Sequence, residues 1–187
     1  MESASLGAVG QVLGPTVWGQ QFLGWRFTLS RMRTITKVGG HLAADFTGNG
    51  LFAAIVRLPS PTGLPSFAPH AIDTAPNAIV HVLIVPTKPS TDLLVSLPSS
   101  IELQPGNYGL IFGGADSAVS YYPFAATGTG VMPNNNTDLA GSSYFFGDQF
   151  QWTNATGLQN IRFVIVFACA WWNWLKWLGQ RFGWCRK

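Results

Sequence analysis

Three histidines, His41, His70 and His81, are the residues best suited to acid–base or metal chemistry, and they lie in three separate segments. Two of them have an aspartate nearby in the sequence, Asp45 after His41 and Asp73 after His70. Residues three or four apart share a face on a helix but not in a strand or a proline-rich turn. Because the local sequence favours strands and turns, we expect each pair to be turn residues and not metal ligands.

The common catalytic motifs are absent from the sequence. There is no G-x-S-x-G nucleophile elbow, no H-E-x-x-H, no phosphate-binding G-x-x-x-x-G-K and no C-x-x-C. The eight acidic residues are isolated along the chain, whereas general acid–base catalysis usually uses a carboxylate pair or an oriented histidine. The sequence therefore predicts that the protein is not an enzyme and has no cofactor. A hydrolase with an unrecognised site ranks third, after two non-catalytic hypotheses.

The densest polar cluster is the run Asn-Asn-Asn-Thr-Asp at residues 134–138. Asn and Asp tolerate left-handed backbone and bond to their own chain, so a loop tied by its own side chains is the simpler interpretation. The alternative is a calcium or sugar site built from Asn134, Asn136 and Asp138. Calcium usually takes several carboxylates, and this run supplies one.

The composition indicates the fold that must position these residues. Charged residues make up 10% of the 187, while Gly contributes 21 and Pro 12, which favours short strands joined by tight turns. Turn residues such as Gly39-Gly40 and Pro105-Gly106 separate the apolar runs. The sequence predicts an all-β fold, an antiparallel, jelly-roll-like β-sandwich without helix before residue 160. The clearest strands are expected at residues 26–29, 51–58, 79–85, 108–112, 143–146 and 161–166.

Two long segments between the strands are candidates for a binding surface. Residues 59–77, the proline-rich segment, contain five prolines, and residues 125–141 are rich in Gly, Thr and Asn. Loops of this length are often functional, and binding residues are commonly carried on loops held by a rigid scaffold.

The sequence divides into an N-terminal arm (1–15), a body (16–166) and an aromatic, basic tail (167–187). Residues 1–166 hold seven Lys or Arg and eight Asp or Glu, whereas the tail holds four Lys or Arg and no acid. Nucleic acid is not expected as a partner, because the body lacks a basic face. The first residues, MESASLGAVGQVLG, have no signal-peptide pattern.

The tail suits a membrane interface better than a transmembrane span. Its apolar residues follow a helical stripe in part, but they wrap most of a helix, and residues 163–178 fall short of the ~20 needed to cross a bilayer. Trp favours the headgroup zone, where basic residues also meet anionic lipid. The predicted interfacial residues are Trp171, Trp172, Trp174, Trp177, Lys176 and Arg181.

Several stretches of the body resemble the β-rich extracytoplasmic domains of bacterial proteins with a PEP-CTERM sorting signal, the choice-of-anchor group. They include VGGHLAADFTGNGLFAAIVRL (38–58), LQPGNYGLIFGG (103–114) and MPNNNTDLAGSSYFF (132–146). Shorter ones lie at 64–67 and 160–166. The resemblance implies export, a sandwich-like fold and a role at the cell surface or in the extracellular matrix. It implies no defined activity.

Two hypotheses for function follow. The leading one is a non-catalytic surface module whose proline-rich and Asn-rich loops bind extracellular polysaccharide or a surface protein. The alternative is an ancillary subunit held to a membrane or a larger complex by the tail.

Overall fold

The computed structural model describes residues 1–3, 16–17, 21–44, 50–72, 75, 77–85, 91–114, 130–131, 143–148, 150–155 and 161–168. Within these ranges there is one 3₁₀ turn, Pro69–Ala71, and no α-helix. The strands that these residues form are β1 (Thr16–Val17), β2 (Phe22–Leu29), β3 (Arg33–Ala44), β4 (Leu51–Leu58), β5 (Ala78–Ile84), β6 (Thr91–Leu103), β7 (Gly106–Gly113), β8 (Gly130–Val131), β9 (Ser143–Gly147), β10 (Trp152–Asn154) and β11 (Phe163–Phe167).

All strand pairs among these elements are antiparallel, and the strands form two packed sheets. The predicted all-β sandwich is confirmed. The apolar run at residues 51–58 coincides with β4, and the other predicted strands overlap observed ones. The predicted tail lies outside the described residues, except that β11 extends to Phe167 and the backbone N–H of Ala168 donates to the carbonyl oxygen of Thr34.

The first sheet is built around β3. Strands β6 and β11 both pair with its residues 35–40, so they lie on opposite edges of β3, and β8 pairs with its C-terminal end. The register of β6 against β3 shifts between Ile35 and Lys37, whose partners are Ile101 and Ser96. Pro98 lies within this interruption, where its lack of a backbone N–H removes no hydrogen bond between β6 and β3.

The predicted turn at Gly39-Gly40 is wrong, because both glycines lie inside β3. A Cβ atom at Gly39 would lie 1.8 Å from the carbonyl oxygen of Leu93 in β6. Glycine is needed at this position because the neighbouring backbone comes too close for a side chain. The same residue type that marks turns elsewhere therefore marks a close approach between two strands here.

The second sheet has the order β10-β9-β2-β7-β4-β5. Its inner face packs on the first sheet through a buried core that both sheets share. Phe163 of β11 lies at the centre of this core. Its ring is parallel to that of Phe112 in β7, with the centroids 5.0 Å apart, and it also contacts Trp25 and Tyr144.

The outer face of the second sheet is also covered, by the proline-rich segment. Alternate residues of β4 enter the inner core, while Phe52, Ala54, Val56 and Leu58 belong to a separate outer cluster. Leu64, Phe67 and Ile72 of the segment pack on that cluster. Because β4 is buried on both faces, its sequence is a continuous apolar run and does not alternate.

Candidate binding cleft

A polar cleft of about 320 Å³ lies where β4 ends and β7 begins. The antiparallel register pairs Leu58 with Asn107, which brings the end of one strand beside the start of the other. The proline-rich segment leaves β4 at this point and returns to it, since the backbone N–H of Arg57 donates to the carbonyl oxygen of Asn77 at 2.9 Å. The cleft is lined by Arg57, Leu58, Pro59, Ser66, Asn77, Gly106 and Asn107.

The two amides of the cleft are oriented by their own hydrogen bonds. Asn77 donates through Nδ2 to the Ser66 hydroxyl oxygen at 3.0 Å, and the Thr28 hydroxyl donates to Oδ1 of Asn107 at 2.9 Å. The first bond directs the oxygen of Asn77 away from Ser66 as an acceptor, and the second turns the NH₂ group of Asn107 away from Thr28 as a donor. The cleft therefore presents both acceptors and donors.

Arg57 supplies the positive charge of the cleft. Its side chain is exposed, and within the described part of the chain no carboxylate lies within ion-pair distance of its guanidinium. Its Nη2 atom lies 3.6 Å from the position that a Cβ would take at Gly106. This is an ordinary van der Waals distance, so the guanidinium lies next to Gly106 at this end of the cleft.

The start of β7, which carries Gly106 and Asn107, is hydrogen-bonded to the preceding β6–β7 turn. The hydroxyl of Tyr108, a buried residue, donates to the carbonyl oxygen of Gln104 at 2.7 Å. This bond links β7 to the residue that follows β6.

The opposite wall of the cleft, the proline-rich segment, is fastened to the second sheet by buried Arg26. Its Nε donates to the carbonyl oxygen of Gly63 at 2.8 Å, while its two terminal nitrogens donate to the backbone oxygen of Tyr144 and to Oδ1 of Asn154. The guanidinium also lies over the Phe145 ring, 4.9 Å from the centroid. Burial lowers the pKa of Arg26 from its ordinary value. A planar group with several donors can join three segments in this way, which a lysine cannot do.

A second charged cluster belongs to the first sheet. Arg162 makes two parallel hydrogen bonds to Asp92, at 2.8 and 2.9 Å, and a further ion pair to Glu2. The hydrogen bond to Asp92, more than the contact with Glu2, raises the pKa of Arg162. Asp92 is the register partner of His41, which is buried inside β3 and does not lie in a turn. This cluster joins β6, the residue before β11 and the first residues of the chain, and its geometry is that of a structural ion pair.

The site residues that were predicted from the sequence are not among the described residues. Asn134, Asn136 and Asp138 fall outside the described residues, and so do the six predicted interfacial residues of the tail. Among the described residues, no group of three or more His, Cys, Asp or Glu side chains is placed to hold a metal ion. No helix in that part of the chain has the length and apolar character of a membrane span.

Sequence reasoning indicated the proline-rich segment as a binding surface but missed the residues that complete the cleft. The available signal was Arg57, the one charged residue in the apolar run Leu51–Leu58. A charge at the end of a doubly buried strand must reach solvent, and here it does so in the cleft. Asn107 gave no signal, because an asparagine next to the predicted turn Pro105-Gly106 is expected on conformational grounds alone.

The chain matches no protein-family model, no curated protein and no solved structure in comparisons with known proteins.

Proposed function

We propose that the protein is a non-catalytic binding module of the cell surface or extracellular matrix, and that its polar cleft binds a polysaccharide. The observation that carries the proposal is the set of oriented donors and acceptors around the cleft: Arg57, Ser66, Asn77 and Asn107. Sugar hydroxyls are both donors and acceptors, so they pair with a site that offers both.

The rigidity of the cleft supports binding. One wall is the end of a sheet, and the other is a segment held by Arg26 and by the packing of Leu64 and Phe67. A site that is already ordered loses little conformational entropy when a ligand binds, so more of the favourable contact energy contributes to affinity.

The chemistry of the lining favours binding over catalysis. The described residues around the cleft include one cation, two amides and one hydroxyl, and none of these described residues is a carboxylate or a histidine. General acid–base chemistry would need one of these or a comparable proton carrier. Assignment to the cell surface is supported by the resemblance of the body to choice-of-anchor domains.

The test measures binding of the full chain to soluble neutral and acidic polysaccharides by isothermal titration calorimetry. Asn107→Ala removes one amide of the cleft and should weaken binding several-fold, the effect of one hydrogen bond. Thr153→Ala, which truncates an exposed polar side chain on β10, should leave binding unchanged. The proposal fails if no polysaccharide binds, or if the two variants bind alike.

A further inference from the structure

We infer that the cleft is selective for acidic sugars and that Arg57 receives the carboxylate of a uronic acid residue. This inference rests on the proposed function and names the class of polysaccharide. It starts from the contrast between two arginines: buried Arg162 is ion-paired to two carboxylates, whereas exposed Arg57 has no carboxylate within ion-pair distance among the described residues.

The backbone of Arg57 is held within the second sheet, and its head group is exposed. Its backbone is part of β4, paired with Tyr108 of β7, and its N–H is bonded to Asn77. Gly106 brings no side chain to this end of the cleft, and Nη2 of Arg57 lies 3.6 Å from the position that a Cβ would take there. A planar guanidinium matches a planar carboxylate through two parallel hydrogen bonds.

The neighbouring groups suit the rest of a uronate ring. The NH₂ group of Asn107 adds a neutral donor beside the cation, and the oxygen of Asn77 accepts from a ring hydroxyl. Among the lining residues that the structure describes, none carries a negative charge that would repel the ligand carboxylate. The net charge of the body does not attract an acidic ligand, because residues 1–166 carry one more acidic than basic residue. Selectivity for an acidic sugar must therefore come from the local contact with Arg57.

The tail complicates any measurement with an acidic polymer, since residues 167–187 add four positive charges. The experiment therefore uses short ligands and compares variants that share the same tail. Trigalacturonate, its methyl ester and a sulfated trisaccharide of similar size are titrated into the full chain by calorimetry.

Arg57→Gln removes the cation, and the control Lys37→Gln removes an exposed cation from β3 in the other sheet. We expect trigalacturonate to bind about tenfold more weakly to Arg57→Gln than to Lys37→Gln, the loss of a charge-assisted hydrogen bond. The methyl ester should bind weakly to both variants, and Arg57→Lys should restore only part of the affinity.

Each other outcome overturns a distinct statement. If the ester binds as well as the acid and Arg57→Gln has no effect, the acidic selectivity is wrong while polysaccharide binding stands. If the sulfated ligand binds as tightly as the carboxylate with the same dependence on Arg57, the site is a general anion site and the uronate assignment is wrong. If none of the three binds and neutral polysaccharides also fail, the proposed function itself falls.

Discussion

The indole N–H of Trp152 donates to the backbone carbonyl oxygen of Phe67 at 2.7 Å, and the two rings meet edge to face with centroids 6.3 Å apart. This contact joins β10 to the proline-rich segment one residue after Ser66, which lines the cleft. Trp152 also packs on the rings of Phe22 and Phe145 in the outer cluster. The wall of the cleft is thus positioned by a side chain that belongs to a different part of the sequence.

Trp152→Phe should loosen this wall while keeping an aromatic ring in the cluster. The variant removes the donor to the Phe67 carbonyl and should lower the free energy of unfolding by about 1–2 kcal/mol. Urea unfolding followed by far-UV circular dichroism measures the change. Phe150→Leu is the control, because Phe150 is 71% exposed on the adjoining turn and should be neutral. Equal stability of both variants and the native chain would contradict a role for the hydrogen bond.

Arg26→Met should be more damaging, because it leaves several acceptors without their buried donor. The carbonyl oxygens of Gly63 and Tyr144 and the side chain of Asn154 all lose a charged partner. Since one hydrogen bond to a charged group contributes about 1.5–3 kcal/mol, we expect a loss of about 3 kcal/mol or more. Arg26→Lys keeps the charge but not the fork of donors, and it should give an intermediate stability. An Arg26→Met protein as stable as the native chain would show that packing alone holds the segment.

Asp148 is expected to make the β9–β10 turn sensitive to acid. The backbone N–H groups of Gln151 and Phe150 both donate to its carboxylate at 2.8 Å and lower its pKa from the ordinary value of 3.8. A carboxylate with a lowered pKa in the folded state stabilises above its unfolded pKa, and the contribution is lost as the pH falls through the folded value.

The measurement compares melting temperatures of the native chain and Asp148→Asn between pH 6 and pH 3. The asparagine oxygen still accepts both bonds but does not titrate, so the variant should lose less stability on acidification. Glu102→Gln, which removes an exposed carboxylate from β6, is the control for the change in charge. If Asp148→Asn and Glu102→Gln respond to acid in the same way, the turn is not the source of the sensitivity.

The strands were predictable where local sequence and tertiary environment agree. The run at residues 51–58 is apolar throughout because β4 is buried on both faces, and its ends coincide with those observed. The two longest strands, β3 and β6, are not predicted by the same patterns. Gly39-Gly40 breaks the strand-like sequence pattern in β3, and Pro98 breaks it in β6. Gly39 is tolerated because the backbone of β6 lies too close for a side chain, and Pro98 because it lies where the pairing of β6 with β3 is interrupted.

The cleft could not be predicted for a similar reason. Its polar groups come from residues 57, 66, 77 and 107, which are brought together by the register of β4 with β7 and by the return of the proline-rich segment. No spacing rule joins residues at these intervals. The Asn-rich run at 134–138 is easier to notice in the sequence because its polar residues are adjacent. The polar residues of the cleft are far apart in the sequence and become neighbours only in the fold.

Phe163 should be the residue on which the packing of the two sheets depends most. It belongs to the first sheet, yet its ring stacks on Phe112 of the second with an interplanar angle of 5°, and Trp25 and Tyr144 border it. Phe163→Ala removes a fully buried ring, for which losses of about 3–5 kcal/mol are typical. Phe150→Ala makes the same chemical change at an exposed position and should cost almost nothing.

A double-mutant cycle separates stacking from simple burial at this site. Phe112→Leu, Phe163→Leu and the double variant are compared by urea unfolding, and contacting residues should show a coupling of about 0.5–1.5 kcal/mol. Additive losses would mean that the two rings contribute only the area they bury. Loss of uronate binding in Phe163→Leu at a temperature where the chain is folded would show that the core also sets the geometry of the cleft. We expect binding to persist, because the cleft lies at the end of β4 and is fastened by Arg26 and Trp152 from the outer face.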